Sequence, residues 1–439
     1  MRIAVIGGGI AGMSLAHYLV KQNNSVVVYE KEEALGGLAG SFPVAGTFLE
    51  RYYHHIFLSD KYTIKLIEEL GFKKDIAWRE SKMAVYCPEG LYPFGTPLDL
   101  ARFKPFSLID KIRFVFSTLY LQYGGKKKAL EETTAERFLL KTAGHNVYEK
   151  IWKPLLSGKF GDACGKTITA AWLQARIHSR GGSKKNNFSR EQLGYLNGSL
   201  KRLFDELERR IMAQAANAVN KNSAVEKINI NNEGKVVVSP YNEVFDAACL
   251  CVPGPIALKL AGHLFGGEYS GRLEAIKYRS ALCVVLLTDR NLSPYYWINI
   301  SDERIPFTGL MGHTSLVPKA DYGNNDILYA GRYISADERQ YALSDAELVR
   351  LYTGHIKDIF PDFTPSTIKK YFVFRDLYAQ PIVEIGYKDR IPSFETPVKN
   401  IFINNNSQIY PEDRGLSPGI RQSLNLAGRI ARKMSGSYV

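Results

Sequence analysis

Apolar and polar positions divide the chain into segments with distinct periods. Residues 3–6 form a short continuous apolar run, the pattern of a strand covered on both faces. Ile10, Met13, Leu15, Ala16 and Leu19 then recur at helical spacing, and the apolar run in "SVVVYE", residues 25–30, predicts a second strand. Ile64, Ile67 and Leu70, stopped by Gly71, predict a helix over 60–72. Residues 82–100 alternate and turn as a hairpin would, and residues 102 to about 180 read as helical. Residues 234–258 read as strand, turn, strand. From 276 to about 395 alternation dominates, interrupted by one helix for which Ser344 is a good cap. The end reads as a buried strand, a polar loop and a final helix. Ser417 is expected as its N-cap, Pro418 as its first residue, and Ile420, Leu424, Ala427 and Ala431 as its inner stripe. No internal repeat or low-complexity tract appears.

The 439 residues are enough for two or three domains. Cys87, Cys164, Cys249, Cys251 and Cys283 are odd in number and hold no C-x-x-C pair, so reduced thiols in a cytoplasmic chain are expected. A structured motif from residue 2 predicts no secretory leader, and no apolar run is long enough to span a bilayer. The net charge of +13 suggests an anionic partner: a phosphorylated substrate, a lipid surface or, least of the three, a nucleic acid.

The first thirty residues carry the most specific chemistry. Gly7, Gly9 and Gly12 form G-x-G-x-x-G between the first strand and its helix, and Glu30 closes the second strand. Gly7 permits the tight turn, Gly9 lets the backbone approach a pyrophosphate, and Gly12 lets helix and strand pack closely. The helix N-terminus, at Ile10 and Ala11, faces the anion, and Glu30 is placed for a ribose hydroxyl. Strand, helix, second strand and terminal acid together predict a dinucleotide site.

After Glu30 and Lys31 comes a second glycine pair, Gly36-Gly37, followed by Leu38 and Ala39. With this turn the chain resembles the FAD-binding proteins of the amine oxidase, protoporphyrinogen oxidase and phytoene desaturase superfamily. "YHHIF" resembles that superfamily's segment beside the isoalloxazine ring, and UDP-galactopyranose mutases carry a similar H-x-F. The resemblance implies that Tyr53, His54 and His55 wall the flavin, that Val225 lies against the adenine, and that Val252 marks an exit from the FAD domain. It also implies that Gly194 and Gly198 belong to a re-entry element in which Ser199 replaces a glycine. Asn406, Gly419 and Ile420 then meet the ribityl chain and the flavin edge, although Asn404-Asn405-Asn406 stands where G-D or A-G is usual.

The expected fold is α/β: a discontinuous Rossmann-like FAD domain (1–80, 192–275 and 396–439) and an α+β substrate domain (81–191 and 276–395) with a helical insert and a mixed sheet. The expected activity is hydride transfer from a substrate C–H or N–H to flavin N5, with His55, Lys159 and Tyr378 as candidate acid–base groups and no metal. A non-redox sugar-nucleotide mutase and an FAD-retaining carrier are the alternatives. Tyr295, Tyr296, Trp297, His313, Arg332, Tyr333, Arg375 and Tyr378 are candidate pocket liners, of which half are expected to serve. The apolar segment 102–128, ending in Lys126-Lys127-Lys128, is expected as the lid of an apolar substrate pocket packed inside the protein, the small-molecule substrate being anionic or apolar. Its alternative is peripheral contact with the inner face of a membrane. "YPEDRG", residues 410–415, either holds substrate or orders its loop.

Overall fold

Five short parallel strands organise one half of the protein. In the computed structural model, which describes residues 1–124, 127–161, 166–186 and 188–434, their spatial order is Val219–Asn220, Ser25–Tyr29, Arg2–Ile6, Ala247–Leu250, Ile401–Ile403. Both faces are covered, which explains why these strands read as continuous apolar runs. On one face lie the first helix (Ile10–Lys21), the helix Lys201–Met212 and the final helix (Leu416–Met434), packed over Ile3, Val5, Val26, Val28 and Phe402. On the other lie the antiparallel strands Lys227–Ile230, Val236–Ser239 and Glu243–Phe245 and the helix Gly254–Ala261, packed over Ala4, Ile6, Val27 and Leu250.

A seven-stranded mixed sheet organises the other half, in the order Ile368–Pro381, Tyr278–Thr288, Asp326–Ile334, Gly309–Gly312, Trp297–Ile300, Met83–Cys87, Gly90–Pro93. The long strand Tyr278–Thr288 shows the two-residue period directly. Leu282, Val284 and Leu286 point toward the helix Asp345–Ile359, whereas Cys283, Val285 and Leu287 join Phe42, Leu49, Tyr296 and Tyr329 on the opposite face. Ser344 caps that helix in a capping box with Glu347. Glu50, fully buried, ties this region together: it accepts from Tyr195 Oη and Leu200 N, both at 2.7 Å, while its backbone carbonyl accepts from Tyr329 Oη at 2.7 Å.

Two expectations are corrected here. The final helix begins at Leu416, so Ser417 does not cap it; its hydroxyl accepts from Tyr62 N at 3.1 Å instead. Leu424 is exposed and Ala431 only half-buried, and the inner stripe runs through Ile420, Ser423, Leu426, Ala427 and Ile430. The second correction concerns the helix Leu108–Tyr123. It buries only Ser117 and Leu121 fully and turns most of its apolar side chains outward, so it is not a lid packed inside the protein. No helix among the described residues is long and apolar enough to cross a membrane. Cys87, Cys249, Cys251 and Cys283 are free thiols, and Cys249 lies inside the parallel sheet; Cys164 and Lys126 lie outside the described residues.

Candidate functional site

Two glycine turns stack against each other at the C-terminal edge of the parallel sheet. Gly36 N donates to Gly8 O at 2.9 Å, and Gly9 and Gly36 form a parallel bridge. The close approach requires glycine. A Cβ on Gly12 would lie 1.9 Å from Gly7 O, and Gly36, at φ +117°, would place one 2.6 Å from Gly40 Cα. The first helix starts at Gly9 with no side-chain cap, leaving its first N–H groups for an anion. Glu30, nearly buried, accepts from Gly8 N at 2.6 Å and Glu32 N at 2.9 Å. Ser223 N donates to the Glu30 carbonyl at 2.8 Å, which brings the segment with Val225 to the same strand end.

The C-terminal piece meets this edge. Ser423 Oγ donates to Ala11 O at 2.8 Å, and a Cβ on Gly419 would touch Ile10 Cγ2 at 3.4 Å, so the first and last helices start side by side. The asparagine run is used residue by residue. Asn404 Nδ2 donates to Ser423 Oγ at 2.9 Å, Asn405 Nδ2 to Val252 O at 2.9 Å, and Asn406 Nδ2 to Ala379 O at 3.3 Å. The amide oxygens of Asn404 and Asn406 are buried without a protein partner. An open helix N-terminus, glycine backbone and orphaned amide oxygens are the groups that could hold a dinucleotide with a polar chain, so the residues present fit FAD. Ile10 and Ala39 pack into the core beneath the turns, whereas Lys31 is exposed and pairs with Glu32 at 3.2 Å.

Beside this edge lies a cavity of about 920 Å³. Leu38, Tyr53, His54 and His55 line one side, and residues 411–418, which lead into the final helix, line another. Its floor is the mixed sheet where Gly309 pairs with Gly331, two positions without side chains. Tyr53 stands edge-on to Trp297, with centroids 4.8 Å apart. His55 Nδ1 lies 2.9 Å from Tyr296 Oη and His54 Nδ1 2.7 Å from Tyr52 O. Burial depresses both imidazoles, His54 to about 4 and His55 to about 3, so both are neutral at physiological pH.

Charge concentrates where "YPEDRG" enters the cavity. Asp413 pairs with Lys159 at 2.9 Å and with Arg176, and Arg414 donates to Tyr333 Oη and, at 3.1 Å, to Gln380 Oε1. Burial would raise the Asp413 carboxyl, but Lys159 and Arg176 outweigh it and hold it at about 2. Burial would likewise raise the Tyr333 phenol, yet Arg414 and Lys159 bring it below its ordinary value. Lys159 is itself lowered, chiefly by burial. Three cations thus face one carboxylate and one acidified phenol, an arrangement able to hold an anion and move a proton.

Of the eight expected liners, Trp297, Arg332 and Tyr333 reach the cavity. Tyr296 and His313 are buried in the core, His313 against Tyr322 Oη at 2.8 Å, and Arg375 pairs with Asp345 at 2.6 Å. Tyr378 does not line the cavity; its ring stands edge-on to Tyr278 at 5.6 Å. Lys159 reaches the cavity, but as the partner of Asp413. Asp413 and Arg414 lie in the segment 410–415 singled out in the sequence, without individual roles, whereas Arg176 escaped sequence reasoning because it meets Asp413 from a position 237 residues away. The one available signal was the charged loop before the final helix.

Comparison with known proteins agrees with this geometry. The model of the flavin containing amine oxidoreductase family matches residues 10–411. A 15-cis-phytoene desaturase of Glycine max is 22% identical over 390 residues, covering 82% of this chain and 66% of that protein. A coproporphyrinogen III oxidase of Staphylococcus aureus is 26% identical over 175 residues, covering 36% of each. The chain thus spans about two thirds of the length of the first relative and about a third of the second. A reduced UDP-galactopyranose mutase shares the fold with a TM-score of 0.74 at 13% identity, over 98% of this chain and 93% of that one. The chain belongs to the flavin containing amine oxidoreductase family, and its cofactor is FAD.

Proposed function

We propose that the protein is an FAD-dependent oxidoreductase that takes a hydride from a C–H or N–H bond of an anionic organic substrate held in the 920 Å³ cavity. FAD, when bound, supplies the two-electron acceptor. In this reading residues 1–80, 192–275 and 396–439 hold the cofactor, and 81–191 with 276–395 hold the substrate. Gly7, whose N–H donates to Tyr29 O at 2.8 Å, makes the tight turn, the N–H groups at Gly9, Ile10, Ala11 and Gly12 take the pyrophosphate, and Glu30 takes the ribose. Gly36, Gly37, Leu38 and Ala39 form the second turn, Val225 and Val252 flank the nucleotide, and Asn406, Gly419 and Ile420 meet the flavin end. Tyr53, His54 and His55 wall the site and exclude water. Arg176, Arg332 and Arg414 orient the substrate's anionic group, and Tyr333, acidified by Arg414 and Lys159, carries the proton. Free thiols agree with a reducing, cytoplasmic setting.

The observation that carries the reading is the cationic wall around Asp413 and Tyr333, set in a cavity that reaches both His55 and the start of the final helix. Coproporphyrinogen III, a polycarboxylate, and phytoene, a hydrocarbon, are added anaerobically to FAD-loaded protein while the oxidised-flavin absorbance is followed. Bleaching by the polycarboxylate, with half-saturation raised roughly tenfold or more in Arg414→Ala, is the expected result. The same cationic wall favours a second reading, a mutase acting on a sugar nucleotide, because it also suits a diphosphate. If neither compound bleaches the flavin and UDP-galactopyranose binds only the dithionite-reduced protein, that second reading replaces the first.

A further inference from the structure

The helix Leu108–Tyr123 exposes what a globular protein ordinarily buries. Leu108 is 74% exposed, Ile109 63%, Ile112 61%, Val115 43%, Phe116 59% and Leu119 45%. At 3.6 residues per turn these six fall within an arc of roughly 120°. The opposite face is anchored by Ser117 and Leu121, both fully buried, and by Phe114, which packs on the aromatic cluster of Phe103, Phe106 and Trp152. The helix is thus firmly seated with its apolar stripe outward, and it starts with a complete capping box from Ser107 and Asp110. Lys111 and Arg113 stand at the two margins of the stripe by the same helical projection.

We propose that this helix lies in the plane of an anionic lipid surface, with the stripe in the acyl boundary and the flanking cations at the headgroups. Charge selects the occupant. Between residues 98 and 128 the sequence holds Arg102, Lys104, Lys111, Arg113, Lys126, Lys127 and Lys128 against only Asp99 and Asp110. Both acids are engaged in capping boxes at helix starts. A second copy packed face to face by twofold symmetry would set these cations against their own equivalents, whereas anionic headgroups neutralise them. Leu121, Gln122, Tyr123 and Gly124, at the end of the same helix, line the cavity, so docking sets the cavity beside the lipid. The proposal concerns the surface alone and does not depend on the reaction proposed above.

The test is co-sedimentation of FAD-loaded protein with vesicles of phosphatidylcholine alone or mixed with phosphatidylglycerol. Wild-type protein is expected to sediment with the mixed vesicles and to be released by salt. Ile112→Asp with Phe116→Asp abolishes sedimentation while retaining FAD and the far-ultraviolet circular dichroism, because neither side chain is buried. Lys104→Ser with Lys128→Ser weakens partitioning onto mixed vesicles roughly thirtyfold. Val244→Asp, an exposed apolar position elsewhere, leaves it unchanged. Wild-type protein that stays in the supernatant with both vesicles overturns the proposal. So does equal, salt-insensitive sedimentation with both, or a dimer in light scattering that Ile112→Asp with Phe116→Asp converts to monomer without any vesicle binding.

Discussion

Single residues set the tolerance of the site. Gly36 carries a positive φ and sits where a Cβ would meet Gly40 Cα at 2.6 Å. Gly36→Ala is expected to destabilise the FAD-free protein by about 3 kcal/mol, read by urea unfolding so that cofactor loss does not confound it. Ser199 occupies a left-handed conformation at φ +77°, which explains why the related pattern has glycine there; its hydroxyl, accepting from Lys201 N at 3.2 Å, offsets part of the strain. Asp413 is the one carboxylate among Lys159, Arg176 and Arg414. Asp413→Asn leaves buried cations uncompensated and is expected to cost about 3–5 kcal/mol. The same change removes the negative charge that raises the Tyr333 phenol, so tyrosinate absorbance should develop at lower pH than in wild-type protein.

Elements join through few contacts, and these are specific. The first and last helices are coupled by Ser423, whose hydroxyl donates to Ala11 O and accepts from Asn404 Nδ2. Ser423→Ala removes only the hydroxyl and strands the buried Asn404 amide, and is expected to lower stability by about 1–3 kcal/mol and to weaken FAD retention, measured by unfolding and by flavin fluorescence. The helix Leu108–Tyr123 shows the limit of reading periodicity. Its apolar stripe was legible at 3.6 residues per turn, but a stripe does not say whether protein or another medium covers it. The same limit applied to the final helix, where Leu424 fits the pattern yet faces solvent because the stripe passes through Ser423.

At the scale of the whole molecule, buried titrating groups set the response to acid. His54 and His55 are depressed to about 4 and about 3, and His313 to about 3, all by burial. Their neutral forms therefore stabilise the fold fully above the free-imidazole value near 6.5, and that contribution is lost as pH falls through 4 and 3. Asp60, raised to about 6 by burial, acts oppositely: its contribution is present below about 3.8 and lost as pH rises through 6. Glu50 and Asp376, also raised by burial, act as Asp60 does, whereas His17 and His263, lowered by burial, act with the other three histidines. The contribution of His313 itself is isolated by comparing variants: the urea midpoint is expected to change less steeply in the destabilising direction between pH 6.5 and 4 in His313→Gln than in wild-type protein. The sequence by itself determined the local chemistry: the two glycine turns, Glu30 at a strand end, the period of each sheet strand, and through them the α/β class and the family. These rest on contacts between near neighbours, where steric demands on a Cβ or an N–H leave few residue choices. Tertiary structure alone decided which of the tyrosines and arginines share the cavity, that Lys159 meets Asp413 rather than standing free, and that Tyr378 faces away. Those meetings span hundreds of residues, and burial and the sum of neighbouring charges, which no local pattern encodes, set what each group does there.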